Sequence, residues 1–165
     1  MPINIALLAE LQHEAGNSRK MVERVPTDKL DWRPHEKSMT LGKLATHIAD
    51  IPIWFSRIIN ADEFDFAMAV FNRDTKENTG AILELFDTRL EEAVNLLHSA
   101  SDETLNASCT FRSGEQIFFQ LPRKTILRNF CYNHVYHHRG QLSVYLRLLD
   151  IAVPGMYGPS ADEMM

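Results

Sequence analysis

One stretch near the C-terminal end, residues 125–149 with sequence TILRNFCYNHVYHHRGQLSVYLRLL, constrains the fold more than any other. It holds no proline. Pro122 stands just ahead of it, where a first-turn proline is tolerated, and the next proline is Pro154. Apolar residues at Ile126, Leu127, Phe130, Val135, Leu142, Val144, Leu146 and Leu149 recur at roughly helical spacing, which predicts one long helix.

Three further helices are legible. Residues 3–25 carry Ile3, Leu7, Leu8, Leu11, Ala15 and Val22 on one side and stop at Pro26. Residues 27–37, with Trp32, Pro34 and His35, read as loop. A second helix, capped by Ser38 or Thr40, runs to about residue 60, and Pro52 predicts a kink near Ala49 to Ile51. Residues 61–75 are irregular, with Phe64, Phe66, Met68 and Phe71 available to cover part of the core; the acidic run Asp62-Glu63-Phe64-Asp65 reads as a solvated loop. A third helix over 76–99 places Leu83, Phe86, Leu90, Ala93 and Leu97 on one side. Residues 108–120 are strand-like, and Ser113-Gly114 predicts the turn of a small hairpin. The tail after Asp150, rich in Pro and Gly from Val153 on, reads as ordered loop. Four long helices and little else predict an all-α four-helix bundle, a single domain spanning 1–165.

Composition sets the setting. Hydrophobic residues at 45% and charged residues at 24% describe an ordinary soluble domain. The net charge of −5 argues against nucleic acid as the main partner, because phosphate binding wants a basic surface. No run of about eighteen apolar residues predicts a membrane span. The opening MPINI lacks the layout of a signal peptide, and Cys109 and Cys131 make no disulfide framework, so the expected location is a reduced cytoplasm.

The chemistry lies within the last helix. His134 and His138, four residues apart, share one helix face, so two imidazoles can converge on one metal ion. A tight site needs a third ligand. His13 shares a face with Glu10, Asn17 and Lys20, read as solvated; His35 sits in a loop; His98 lies off the Leu90–Leu97 stripe. His47, three residues after Leu44 and four before Ile51, falls on the buried side of the second helix. A histidine aimed into a core needs a hydrogen-bond partner or a metal, and both readings stand for it. His137 points about 100° away from His134 and His138, toward Asn133 and Gln141, and reads as structural or as a subunit contact. Val135 stands where the H-E-x-x-H proteases carry their general base, so peptidase activity of that type is not expected.

Three motifs, SMTLGKLATHIA from Ser38, NHVYHHRGQL from Asn133 and VPGMYGPSADE from Val153, together resemble the DinB family of the DinB/YfiT-like superfamily, the damage-inducible helical proteins and not the polymerase of that name. The resemblance covers most of the chain. It implies an up-down-down-up four-helix bundle, frequently a homodimer, and a divalent metal held by His47, His134 and His138. Nickel or zinc is the expected ion, with iron or manganese as alternatives. Related branches are S-transferases and isomerases that use a low-molecular-weight thiol as cosubstrate.

Three functions follow as expectations. The first is an enzyme acting on a small molecule, a thiol-dependent transferase or a hydrolase, in which the metal activates a bound thiol or water. Gln141 and Tyr145, on the ligand stripe, would orient a substrate or satisfy core hydrogen bonds; Cys131 reads as a buried small hydrophobe. The second is a metal-binding protein without catalysis. The third is a dimeric interaction module of the stress response, favoured if the imidazoles lie more than about 5 Å apart, since Zn–N bonds are ~2.0–2.1 Å. Trp32 and Trp54 read as core or dimer-contact aromatics. Gly140, which costs about 0.8–1.0 kcal/mol relative to Ala in a helix, suggests a close helix crossing.

Overall fold

A computed structural model of the chain describes residues 2–71 and 74–163. Helix α1 (Ile3–Glu23) follows Pro2, and the N–H of Ile3, one of its unpaired first-turn donors, donates to the Asp102 carboxylate at 2.8 Å. A single tight turn, Thr27–Lys29, leads through a loop to α2 (Leu41–Asp50). Its N-cap is Thr40, whose Oγ1 accepts from the Lys43 N–H at 3.2 Å. Pro52 lacks the N–H that would continue the ladder, so the predicted kink is a full break, and α3 (Ile53–Ile59) starts afresh. Helix α4 (Thr79–Ser99) is capped by Asn78, and the short α5 (Asp102–Asn106) by Ser101. The last helical rod begins at α6 (Arg123–Leu127), widens through one π-helical passage (Arg128–Asn133) and continues as α7 (His134–Leu148).

The expectation of an all-α four-helix bundle is corrected by a sheet. The chain is about 58% helical and carries a three-stranded mixed sheet, so it is a mixed fold. Strands β2 (Ser108–Ser113) and β3 (Gln116–Pro122) form the predicted antiparallel hairpin, with Gly114 at φ 58° in the turn, the left-handed region that favours glycine. Strand β1 (Glu63–Asp65) lies parallel to β2, with Glu63 opposite Thr110 and Asp65 opposite Arg112. The acidic run read as a solvated loop therefore supplies a strand. Residues 72 and 73 of the passage read as irregular lie outside the described residues. Arg123 fixes the joint between sheet and helices: its buried guanidinium donates to the carbonyls of Ile58, Ala61 and Ser108 and to the Asp62 carboxylate at 2.6–3.2 Å.

Two apolar cores result. The one beside the sheet gathers Leu7, Leu11, Trp54, Phe55, Ile58, Leu97, Phe111 and Tyr132; the other gathers Met21, Val22, Leu41, Leu44, Ile48, Phe86, Leu142 and Leu146. Along α1 the changeover between them falls at Glu14. Along the last rod it falls between Tyr132 and Leu142, the interval that holds His134, His138 and Arg139. Here Arg139 donates to the Glu14 carboxylate at 2.6 Å, to the Glu14 carbonyl at 3.1 Å and to Ser18 Oγ at 3.2 Å, and Glu14 also accepts from the Tyr157 hydroxyl at 2.7 Å. With side-chain exposures of 5% and 8%, this ion pair is shut off from solvent. Neither Glu14 nor Arg139 stood out by periodicity, and Asn17, on the face read as solvated with Glu10, His13 and Lys20, is buried as well.

Gly140 has no neighbour within 4 Å of where a Cβ would stand, so it does not mark a close helix crossing. Gly140→Ala is expected to raise stability by about 0.5–1 kcal/mol in urea unfolding. Glu14→Ala, which leaves the Arg139 charge buried without its partner, is expected to lower it by about 3–5 kcal/mol in the same assay.

Candidate metal centre

Helices α2 and α7 carry the three imidazoles to one point. His47 and His134 are half-buried and His138 is 7% exposed. Their ring centroids form a nearly equilateral triangle, 4.9 Å from His47 to His134, 4.6 Å from His47 to His138 and 4.7 Å from His134 to His138. One ligand nitrogen from each lies within 4.8 Å of the other two. His13, His35 and His98 are exposed and stand apart from the cluster. His137 is exposed with its ring 4.8 Å from that of His138, and it is not part of the converging set.

Hydrogen bonds choose which nitrogens face inward. His138 Nδ1 lies 2.8 Å from Gln141 Oε1, and His134 Nδ1 lies 3.4 Å from the Phe130 carbonyl. Both partners are acceptors, so each Nδ1 carries the proton and each Nε2 keeps a free lone pair. His47 Nε2 faces His134 Nε2 at 3.1 Å, a contact that needs a proton or a cation between the two nitrogens. Two zinc–nitrogen bonds of ~2.0–2.1 Å at a tetrahedral angle would set their nitrogens about 3.3–3.4 Å apart, so a small shift admits an ion. Three neutral imidazoles with outer partners on two of them form a donor set compatible with a divalent metal.

The electrostatics agree. Burial, then His138, His134 and Lys43, push the His47 imidazole down to about 4. Burial also lowers His134, against the pull of the Phe130 carbonyl, and lowers His138, against its bond to Gln141. The rings are therefore neutral at pH 7, the state in which imidazole binds a metal. No carboxylate figures among the groups that shift them.

Of the two residues expected to flank the site, Gln141 touches it directly. Tyr145 does not bond to a histidine: its hydroxyl donates to the Met39 carbonyl at 3.3 Å and its ring meets Trp32 edge-on. Cys131 is buried, and burial holds its thiol well above the ordinary range, so it is no thiolate. Lys43 and the Phe130 carbonyl were missed, although each lies one helical turn before a histidine of the cluster and that spacing would have found them.

These features define a class: mainly helical proteins with a three-histidine group suited to a divalent ion. The sequence model of the DinB family matches residues 1–165, and the chain belongs to that family. Its sequence is 27% identical, over 94% of this chain and 89% of the relative, to YrdA of Bacillus subtilis (strain 168), an uncharacterized protein. Its fold is similar to that of a DinB-like protein from Bacillus cereus ATCC 10987, with a TM-score of 0.75 and 20% identity over 94% of this chain and 98% of that one. The DinB-like protein YjoA of Bacillus subtilis is also similar, with a TM-score of 0.69 and 18% identity over 97% and 99% of the two chains.

The lowered imidazole values carry a pH signature. A neutral buried ring contributes stability in full above its unfolded value of about 6.5, and that contribution is lost as the pH falls toward the folded value. For His47 the window closes at about 4. The urea midpoint of chelator-treated protein is expected to fall between pH 6.5 and 4, and to fall less in His47→Gln.

Proposed function

We propose that the protein is a metal-dependent enzyme acting on a small molecule, with a divalent ion held by His47, His134 and His138. The observation that carries this reading is the convergence of three neutral imidazole nitrogens within 4.8 Å, with Gln141 and the Phe130 carbonyl holding two rings in the ligating tautomer. When bound, such an ion supplies Lewis acidity, which favours the deprotonated form of a thiol or water at neutral pH.

The chain's own residues narrow the chemistry. Cys131 is a buried, protonated thiol and Val135 occupies the place of a zincin base, so the histidine helix supplies neither a nucleophile nor a carboxylate base. The nucleophile therefore arrives from outside, as a low-molecular-weight thiol in an S-transferase or as water in a hydrolase. Three protein ligands leave at least one coordination position open, the arrangement of catalytic rather than closed structural sites. Gln141 serves as a positioning residue, holding the proton on His138 Nδ1.

Elemental analysis of untagged protein tests the site. Near-stoichiometric nickel, zinc, iron or manganese is expected in wild type and in His137→Ala, with a loss of more than tenfold in His47→Ala and His138→Ala. Wild-type protein that stays empty after metal is added back would overturn the reading. Loaded protein that turns over no electrophile with any thiol or with water would reduce it to metal binding without catalysis.

A further inference from the structure

Residues 153–163, which carry the motif VPGMYGPSADE, contain neither helix nor strand. They are held by a few fastenings. Arg147 on α7 donates to both oxygens of Asp162, and Arg24, just past α1, donates to Glu163 Oε1 at 2.5 Å. The same two carboxylates also take backbone groups of the segment itself. The Val153 N–H donates to Asp162 at 2.9 Å and the Gly155 N–H to Glu163 at 3.2 Å. Pro154 is buried, and Val153 and Met156 pack on the second core.

Tyr157 lies within this segment and closes over the buried ion pair. Its hydroxyl accepts from Arg139 and donates to Glu14, and Arg139 Cζ stands 5.4 Å from the centroid of its ring. Tyr157 is itself 68% exposed, so its phenol stands between solvent and a pair of buried charges. Arg139 follows His138 in the chain and ties α7 to α1 at that level. The fastenings are of a weak kind. Arg147, Asp162 and Arg24 are exposed and Glu163 is half-buried, and ion pairs in such places contribute little each and are screened by salt. A segment held mainly by exposed bonds is among the first parts of a fold to open. Once it opens, water reaches the two charges whose pairing seats the last helix.

We infer that residues 153–163 form a strap whose release, favoured by rising ionic strength, uncovers the Glu14–Arg139 pair and loosens the turn that carries His138. The strap thereby sets how fast an ion leaves the three histidines. Its hold on the ion rests on the metal reading; the strap and its response to salt do not.

Two readouts test it, amide exchange resolved by residue and transfer of the bound ion to a chelator. Both are taken between about 0.01 and 1 M sodium chloride, where the screening length falls from about 30 to about 3 Å. In wild type, protection of the Val153 and Gly155 amides is expected to fall about tenfold across that range, the worth of two exposed ion pairs, and ion transfer to quicken by a similar factor. The double variant Asp162→Ala, Glu163→Ala should show the high-salt behaviour at every salt concentration. Tyr157→Phe keeps the fastenings, so it should keep the amide protection but transfer the ion faster at low salt. Glu63→Gln, which breaks the exposed pair with Arg112 on the sheet, should match wild type in both readouts. Protection that does not change with salt, or that survives in the double variant, would overturn the strap. One rate of ion transfer in wild type, the double variant and Tyr157→Phe, at full metal content, would overturn its hold on the site. Salt-dependent protection in a protein that takes up no metal would uphold the strap while the metal reading falls.

Discussion

Glu14 and Arg139 meet at the level where the two apolar cores join, and the seating of the last helix on the first depends on that contact. A buried ion pair contributes little net stability, because the desolvation of both charges offsets their attraction. Its effect is on register. Arg139 reaches the Glu14 carboxylate, the Glu14 carbonyl and Ser18 only if α1 and α7 are aligned to within a fraction of a turn. The same contact draws Tyr157 from the C-terminal loop, whose Asp162 in turn receives Arg147 and the Val153 N–H. His138 is the neighbour of Arg139 in sequence, so fixing one fixes the direction of the other.

That alignment explains how polar rings persist between two hydrophobic cores. Tyr132, whose hydroxyl donates to the Leu7 carbonyl at 2.6 Å, anchors the rod to α1 just before the histidines. The π-helical passage Arg128–Asn133 ends where the pair begins. On the facing side, the break at Pro52 ends α2 within a turn of His47 and lets α3 carry Trp54 and Arg57 toward the sheet. Irregular backbone thus flanks the cluster on both of its helices, as π-bulges and proline breaks often do beside functional sites. The outcome is a cluster of neutral donors in a partly desolvated place.

Much of this was legible in the chain. Thr40 as a cap, an interruption at Pro52 (expected as a kink, found as a break), Ser113-Gly114 as a turn and the shared face of His134 and His138 are each set by chemistry within about one helical turn or one hairpin. His47 was reachable because a helix of known phase sorts its residues into buried and exposed. Other features left no local trace. Strand β1 is three residues long, too short for an alternating pattern, and exists only because β2 lies beside it. Glu14 looks like any surface glutamate until Arg139 covers it. Arg57 looks like a solvated cation until Trp54, Phe64 and Phe71 close beneath it.

The sequence by itself determined the helices, their caps and breaks, the hairpin and the residues able to ligate, because propensity, capping and periodicity act through neighbours along the chain. The tertiary structure alone decided the mixed sheet, the pairing of Glu14 with Arg139 and the stacking of Arg57 on Trp54, Phe64 and Phe71. It also decided that His47 faces His134 at 3.1 Å. Each of these depends on groups far apart in sequence, and the free energy of burying a charge, a strand edge or an imidazole is not defined until packing has chosen its surroundings.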